Sequence, residues 1–183
     1  MIRARRLVEA LIVVATAAFD ASCAKAASAD PCDRLPIDVT TYLSANPTWI
    51  PVRKSDLSAD HQKLWEDSHR NMCPGVATVD LEGRGRASHG LALLRRDRRG
   101  NEEMLVLLRR RPKGLSITTM VAPYRSPGPE VVWEASPALA QDLAAGSKFG
   151  KITHDAIVFE ALESAAQMFY VRNGRVRKIQ ISD

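Results

Sequence analysis

The sequence predicts an α+β fold: one domain built on a twisted, mostly antiparallel sheet, with helices packed on one side and a single disulfide. Three observations predict it. A capped helical stretch, Ser58 to Asn71, is followed by a long succession of short apolar runs separated by turn residues. The chain closes on Asn173-Gly174 between two strand-like runs, the strongest short hairpin signal there is. Two cysteines, Cys32 and Cys73, lie beyond an N-terminal segment with the layout of an export signal, and in an oxidising compartment two cysteines pair.

The 183 residues leave room for one domain with a substantial core. Arg3, Arg5 and Arg6 form a positive start, Leu7 to Phe19 is an apolar run, and small residues follow up to Ala27-Ser28-Ala29. That is a secretory signal peptide over residues 1–29, with the domain in residues 30–183. Glu9 within the run and Asp20 after it leave too little uninterrupted apolar length for a spanning helix, so no membrane span is expected in the mature form. Lipid attachment at Cys23 is the alternative. Asp20, however, stands where a lipoprotein signal carries an aliphatic residue, and cleavage near Ala29 removes Cys23. The Cys32–Cys73 bridge closes a loop of about 42 residues, for which chain entropy gives roughly 4 kcal/mol. With no CxxC and no nearby histidine it reads as a staple rather than a metal or redox centre. A formal charge of +5 for the whole chain is weak evidence for any polyanionic partner.

Along the mature chain, Ile37 to Asn46 reads as a short helix ended by Asn46-Pro47, because a residue before proline avoids the helical region. Trp49 to Val52 is extended, and Pro51 restricts it to a sheet edge. Ser58 caps the next helix, with Asp60 in its first turn and Leu64 and Trp65 on its buried side. Cys73-Pro74-Gly75 stops that helix and turns the chain into a strand over Val76 to Leu81, a glycine turn over Glu82 to Gly85, and a strand over Gly90 to Leu94. Met104 to Leu108 pairs with that strand across a polar connection. Both are apolar at consecutive positions, which predicts that both faces are covered, one of them by the Ser58 helix. Leu115 to Ala122 alternates as a strand, and Val131 to Trp133 is a short extended piece. Ser136-Pro137 opens a helix that ends at Gly146. Ala156 to Ala161, Ala165 to Val171 and Arg175 to Ser182 complete the ladder. The alternation slips between Val176 and Ile179, as at a bulge.

The stretch from Cys73 to Gly85, CPG-x-x-x-x-D-x-x-G-x-G before a short apolar strand, resembles the single integrin-type motif (FG-GAP, or VCBS-like) of small exported bacterial proteins. The C-terminal hairpin ladder is similar to theirs as well, so the resemblance covers about the last two thirds of the chain. It implies a fold more than an activity. It also implies a loop of calcium-binding type, with oxygen ligands at alternate positions and glycine at the sixth. Asp80 and Glu82 match the first and third ligand positions and Gly85 the sixth, while Ser88 stands where a later carboxylate usually sits. Arg84 stands at the fifth, where a guanidinium opposes a cation. A metal-free turn held by Arg84 or Arg86 against Asp80 or Glu82 is therefore favoured, and no cofactor is expected beyond the calcium alternative.

Other chemistry is sparse. His61 and His69 are two helical turns apart and no HExxH is present. His89 is the best-placed catalytic candidate, but Ser88 beside it points to the opposite face of a strand, which rules against a Ser–His dyad. There is no GxSxG, Walker loop or Rossmann fingerprint. Arg95, Arg96, Arg98 and Arg99 lie at one end of a hairpin, and Arg109, Arg110 and Arg111 at the other, as a candidate binding patch. For an exported protein these fit phosphates of the envelope or an acidic protein better than nucleic acid. Solvated edge charges that discourage strand pairing are the simpler reading.

The expectation is an exported, periplasmic or secreted binding protein without enzymatic activity, of inhibitor or immunity-like type, whose macromolecular partner the residues do not name. A cell-wall polymer hydrolase using His89, Asp80 and Glu82, and a calcium-binding structural module, are the alternatives.

Overall fold

The computed structural model describes residues 29–97, 100–145 and 150–182. Residues 1–28 with Cys23, the arginines at 98 and 99, and Gly146 lie outside the described residues. A single 3-10 turn, Pro31–Asp33, leads into α1 (Ile37–Ala45), β1 (Ile50–Pro51), a second such turn (Lys54–Asp56) and α2 (Ala59–His69). Strands β2 (Val76–Val79), β3 (Ser88–Asp97), β4 (Gly100–Arg111), β5 (Gly114–Arg125) and β6 (Val131–Ala135) follow. Then come α3 (Pro137–Leu143), β7 (Ala156–Glu160), β8 (Ala166–Arg172) and β9 (Arg175–Ser182).

The local signals act as expected. Ser58 Oγ accepts the His61 N–H at 3.2 Å to start α2, and Ser136 Oγ accepts the Leu139 N–H at 3.4 Å with Pro137 in the first turn of α3. Asn46 stops α1, its side chain donating to the Tyr42 carbonyl at 2.9 Å. Asn173 and Gly174 both take positive φ, the conformation a two-residue turn between β8 and β9 requires.

The strands form two sheets rather than one. The first runs β1-β3-β4-β5, with β2 end to end with β1 along the same edge of β3; the second runs β6-β7-β8-β9. All pairs are antiparallel. The sheets pack face to face over Ala92, Leu94, Leu105 and Leu107 from one and Val132, Ile157, Phe159 and Phe169 from the other. Gly90 lets them approach, since a Cβ there meets Ile157 at 3.0 Å.

The helices are not confined to one side. Val39 and Tyr42 of α1 cover Leu91, Leu93, Val106 and Leu108 on the outer face of the first sheet. Ala140 of α3 joins Ala156, Val158, Met168 and Tyr170 on the outer face of the second. The continuous apolar runs of β3 and β4 are thus buried between α1 and the other sheet. The Ser58 helix covers neither face as a layer; its Trp65, 2% exposed, enters the inter-sheet core. The expected bulge in β9 is also absent from its place. Pairing runs unbroken from Val171↔Val176 to Gln167↔Gln180, and the irregularity falls at Ala166/Gln167. Val176 packs toward the inter-sheet core and Ile179 toward α3, so the slip in alternation reflects a strand with apolar contacts on both faces.

Cys32 and Cys73 are bridged, tying the N-terminal arm to the turn that enters β2. Beside them the backbone from β1 crosses Gly75: Val52 N–H donates to Ala92 O, and Ala92 N–H donates to Gly75 O, each at 3.0 Å. A Cβ on Gly75 would lie 2.4 Å from Val52 N and 2.6 Å from Val52 O. Gly75→Ala therefore has to separate two backbones, and a loss of about 2 kcal/mol is expected in denaturant unfolding. A change within 0.5 kcal/mol would show that the crossing yields freely. Among the described residues no helix is long and apolar enough to cross a membrane.

Candidate functional site

The glycine turn after β2 is held by Asp80. Its carboxylate accepts the Arg84 N–H at 3.1 Å and the Gly85 N–H at 2.6 Å. Gly83 and Gly85 take positive φ, which lets the chain reverse inside this short span. Hydrogen bonds from four backbone amides draw the Asp80 carboxyl below its ordinary value, against a contrary effect of desolvation that is the largest single contribution. The Asp80 N–H in turn donates to Asp155 at 2.9 Å, fastening the turn to the entry of β7.

Glu82 then points at arginines. Its carboxylate lies 2.6 Å from Arg111, 3.8 Å from Arg109 and 3.9 Å from Arg84. Ser88 is buried at the start of β3. The residues that the calcium reading needs are thus divided: Asp80 serves backbone amides, Glu82 serves three guanidinium groups, and Ser88 sits in the sheet. That surroundings repels a cation. Among the described residues no three His, Cys, Asp or Glu side chains gather as a metal site.

His89 is buried on the outer face of β3, its Nδ1 3.0 Å from Thr78 Oγ1, and burial lowers its pKa. Its nearest charged neighbours, Asp38 and Arg110, bind each other at 2.6 Å. Neither Asp80 nor Glu82 joins it. The arginines separate as the hairpin requires, Ser88 pairing with Arg109 and Arg95 with Glu102 at opposite ends. At the far end Arg95 binds Glu102 and lies over the Trp49 ring at 4.8 Å, while Arg96 binds Asp56. Those charges are matched locally. At the near end the single carboxylate of Glu82 is shared among Arg84, Arg109 and Arg111.

There the turns Glu82–Gly85 and Asn173–Gly174 and the end of β4 at Arg111 converge with the loop before β7, around an open cavity of about 410 Å³. Arg84, Arg111, Lys151, Arg172 and His154 line it, with Glu82 the one carboxylate among its lining residues. The geometry fixes two of these side chains. His154 packs on the turn so closely that a Cβ on Gly83 would fall 2.2 Å from Nδ1, and the Arg172 guanidinium lies 3.0–3.2 Å from where a Gly150 Cβ would stand. Arg109, beside Arg111 and mostly buried, has no hydrogen-bond partner for its Nε and Nη1 donors among the described residues. Burial and then Arg111 lower its pKa, with Glu82 opposing. Arg84, Arg111 and Lys151 with one carboxylate around an open cavity favour an anion there.

Sequence reasoning found Glu82, Arg109 and Arg111 but not Lys151, His154 or Arg172. The signal was the basic residue next to Asn173-Gly174: a hairpin turn at one end of the ladder brings its flanking charge to that end. No family model matches the chain, no curated protein matches it, and no solved structure matches it.

Proposed function

We propose that this is an exported, disulfide-stapled binding protein without enzymatic activity, which takes an anionic group of a macromolecular partner into the cavity between Glu82, Arg111, Lys151 and Arg172. The observation that carries the reading is that Arg84, Arg111 and Lys151 line the cavity with Glu82 as the one carboxylate among its lining residues. Cations so placed raise the local concentration of an acidic ligand and speed its association. Binding is favoured over hydrolysis because the carboxylates of the turn are engaged. Asp80 anchors the turn, Glu82 is ion-paired, and His89 is packed on the other side of the sheet. The Cys32–Cys73 bridge fits life in an oxidising envelope or outside the cell. The integrin-type resemblance of Cys73 to Gly85 is kept as a proposal about ancestry, with the calcium ligands replaced by an arginine-held turn.

Calorimetric titration of the native oxidised protein with poly-L-glutamate and with inorganic phosphate tests the reading. Saturable binding that weakens with salt is expected, and Arg84→Glu with Lys151→Glu is expected to reduce it at least tenfold. An affinity unchanged by the double substitution would move the site away from this cavity.

A further inference from the structure

The four long or terminal edges of the two sheets are not treated alike. β1 and β2 are two and four residues long, and β1 holds Pro51. β6 is five residues long, and its Val132 N–H is taken by the carbonyl of Pro74, in the turn before β2, at 2.8 Å. The β9 edge carries Arg175, Arg177 and Lys178. Shortness, proline, coverage and charge are the devices by which proteins keep edges from pairing. β5 has almost none of them. It spans twelve residues, carries no charged side chain from Gly114 to Tyr124, and meets its only proline at Pro123. Its outer edge pairs with nothing among the described residues.

The side chains agree with the backbone. Leu115 and Ile117, 37% and 55% exposed, are two of the five large apolar side chains exposed among the described residues, and they stand two apart on one face of β5. Arg111 and Gly114 close the two-residue turn, so pairing alternates from there: Ser116 and Thr118 exchange hydrogen bonds with β4, and Leu115, Ile117 and Thr119 direct N–H and C=O outward.

We propose that β5 pairs antiparallel with β5 of a second copy, about a two-fold axis at Ile117. In that register Ile117 faces Ile117 of the partner subunit, and Leu115 faces Thr119 of the partner subunit. Ser116 faces Thr118 of the partner subunit. Every opposed pair is apolar or hydroxyl-bearing, and no charge meets a like charge, although the chain as a whole is cationic. An acidic foreign strand would find no cation from Gly114 to Tyr124, whereas that stretch complements itself. The two first sheets become one continuous sheet, with the anion-attracting cavities at its two separate turns, independent of the proposal above.

Sedimentation of the native oxidised protein from about 1 to 200 μM reads the outcome. A concentration-dependent dimer is expected. Ile117→Lys, which places two ammonium groups at the axis, is expected to give monomer. Leu139→Lys, on the exposed face of α3, is expected to leave the dimer. Circular dichroism and melting temperature of Ile117→Lys serve as folding controls, and Thr119→Lys, displaced from the axis, is expected to weaken the dimer by about tenfold or more. A monomer across the whole range, or a dimer untouched by both β5 substitutions, overturns the proposal.

Discussion

Replacing Cys32 and Cys73 together by alanine is expected to cost about 4 kcal/mol of stability, the loop-closure entropy for cysteines 41 residues apart. For a domain of this size that corresponds to a fall in melting temperature on the order of 10 °C. The bridge restrains the whole front of the domain. Cys32 belongs to the arm that leads to α1, and α1 covers the outer face of β3 and β4 through Val39 and Tyr42. Cys73 belongs to the turn that sets β2 beside β3. Without the bridge, the arm is held by Arg53, which binds Asp30 and Asp33 at 2.9 Å each. These pairs are partly to largely exposed and contribute little. Protease digestion should therefore cut the arm of the double variant before the sheets unfold. A melting temperature within about 2 °C of the parent, with the arm still protected, would show that packing of α1 alone holds the front in place.

What the sequence revealed was whatever a few neighbouring residues decide. Ser58 and Ser136 accept from N–H groups three residues on, Asn46-Pro47 stops a helix, and Asn173-Gly174 needs only its own φ angles. The cysteine pair was legible because only two cysteines, Cys32 and Cys73, lie beyond Ala29. The layering was not. Consecutive apolar residues in β3 and β4 say that both faces are covered but carry nothing about what covers them, and the cover is α1 on one side and a second sheet on the other. A hydrophobic face accepts any apolar partner of the right shape.

The cavity was hidden for a related reason. Glu82 lies in the turn after β2, Arg111 at the end of β4 and Arg172 in the other sheet, so no spacing along the chain joins them. The integrin-type reading of the turn weighed Asp80 and Glu82 by their neighbours in sequence. Glu82 takes its surroundings from Arg109 and Arg111, which reach it through the β3–β4 pairing of Ser88 with Arg109. Arg109 and Arg111 are two apart on one strand and point to the same side, while Arg110 points to α1 and binds Asp38. The run of three arginines thus divides its work between two faces.

Glu103→Gln is expected to abolish a loss of stability that the parent shows between about pH 4.5 and 7, worth up to about 3 kcal/mol. Glu103 lies at the end of the sandwich opposite the cavity and is 1% exposed. One carboxylate oxygen accepts the Glu130 N–H at 3.0 Å, clasping the loop that passes from β5 to β6; the other, Oε1, has no partner among the described residues. Burial, and then the charge of Glu130, raise its pKa from 4.5 to about 7 against the pull of that amide. Glu130 is itself raised by burial, while a hydrogen bond with Tyr124 opposes the rise. An acid with a raised native pKa keeps its proton where the unfolded chain has lost it. Stability therefore falls as pH climbs from 4.5 through 7 and changes no further above that. His69 and His89 act in the contrary sense: burial lowers both, so their contribution rises with pH up to about 6.5. Comparing parent and Glu103→Gln at pH 5 and pH 8 cancels the histidines. The glutamine keeps an acceptor for the Glu130 N–H and carries no charge, so the variant should gain about 2–3 kcal/mol on the parent between those two pH values. Parallel stability curves would mean that the Glu103 carboxylate ionises as readily in the folded protein as in the unfolded chain.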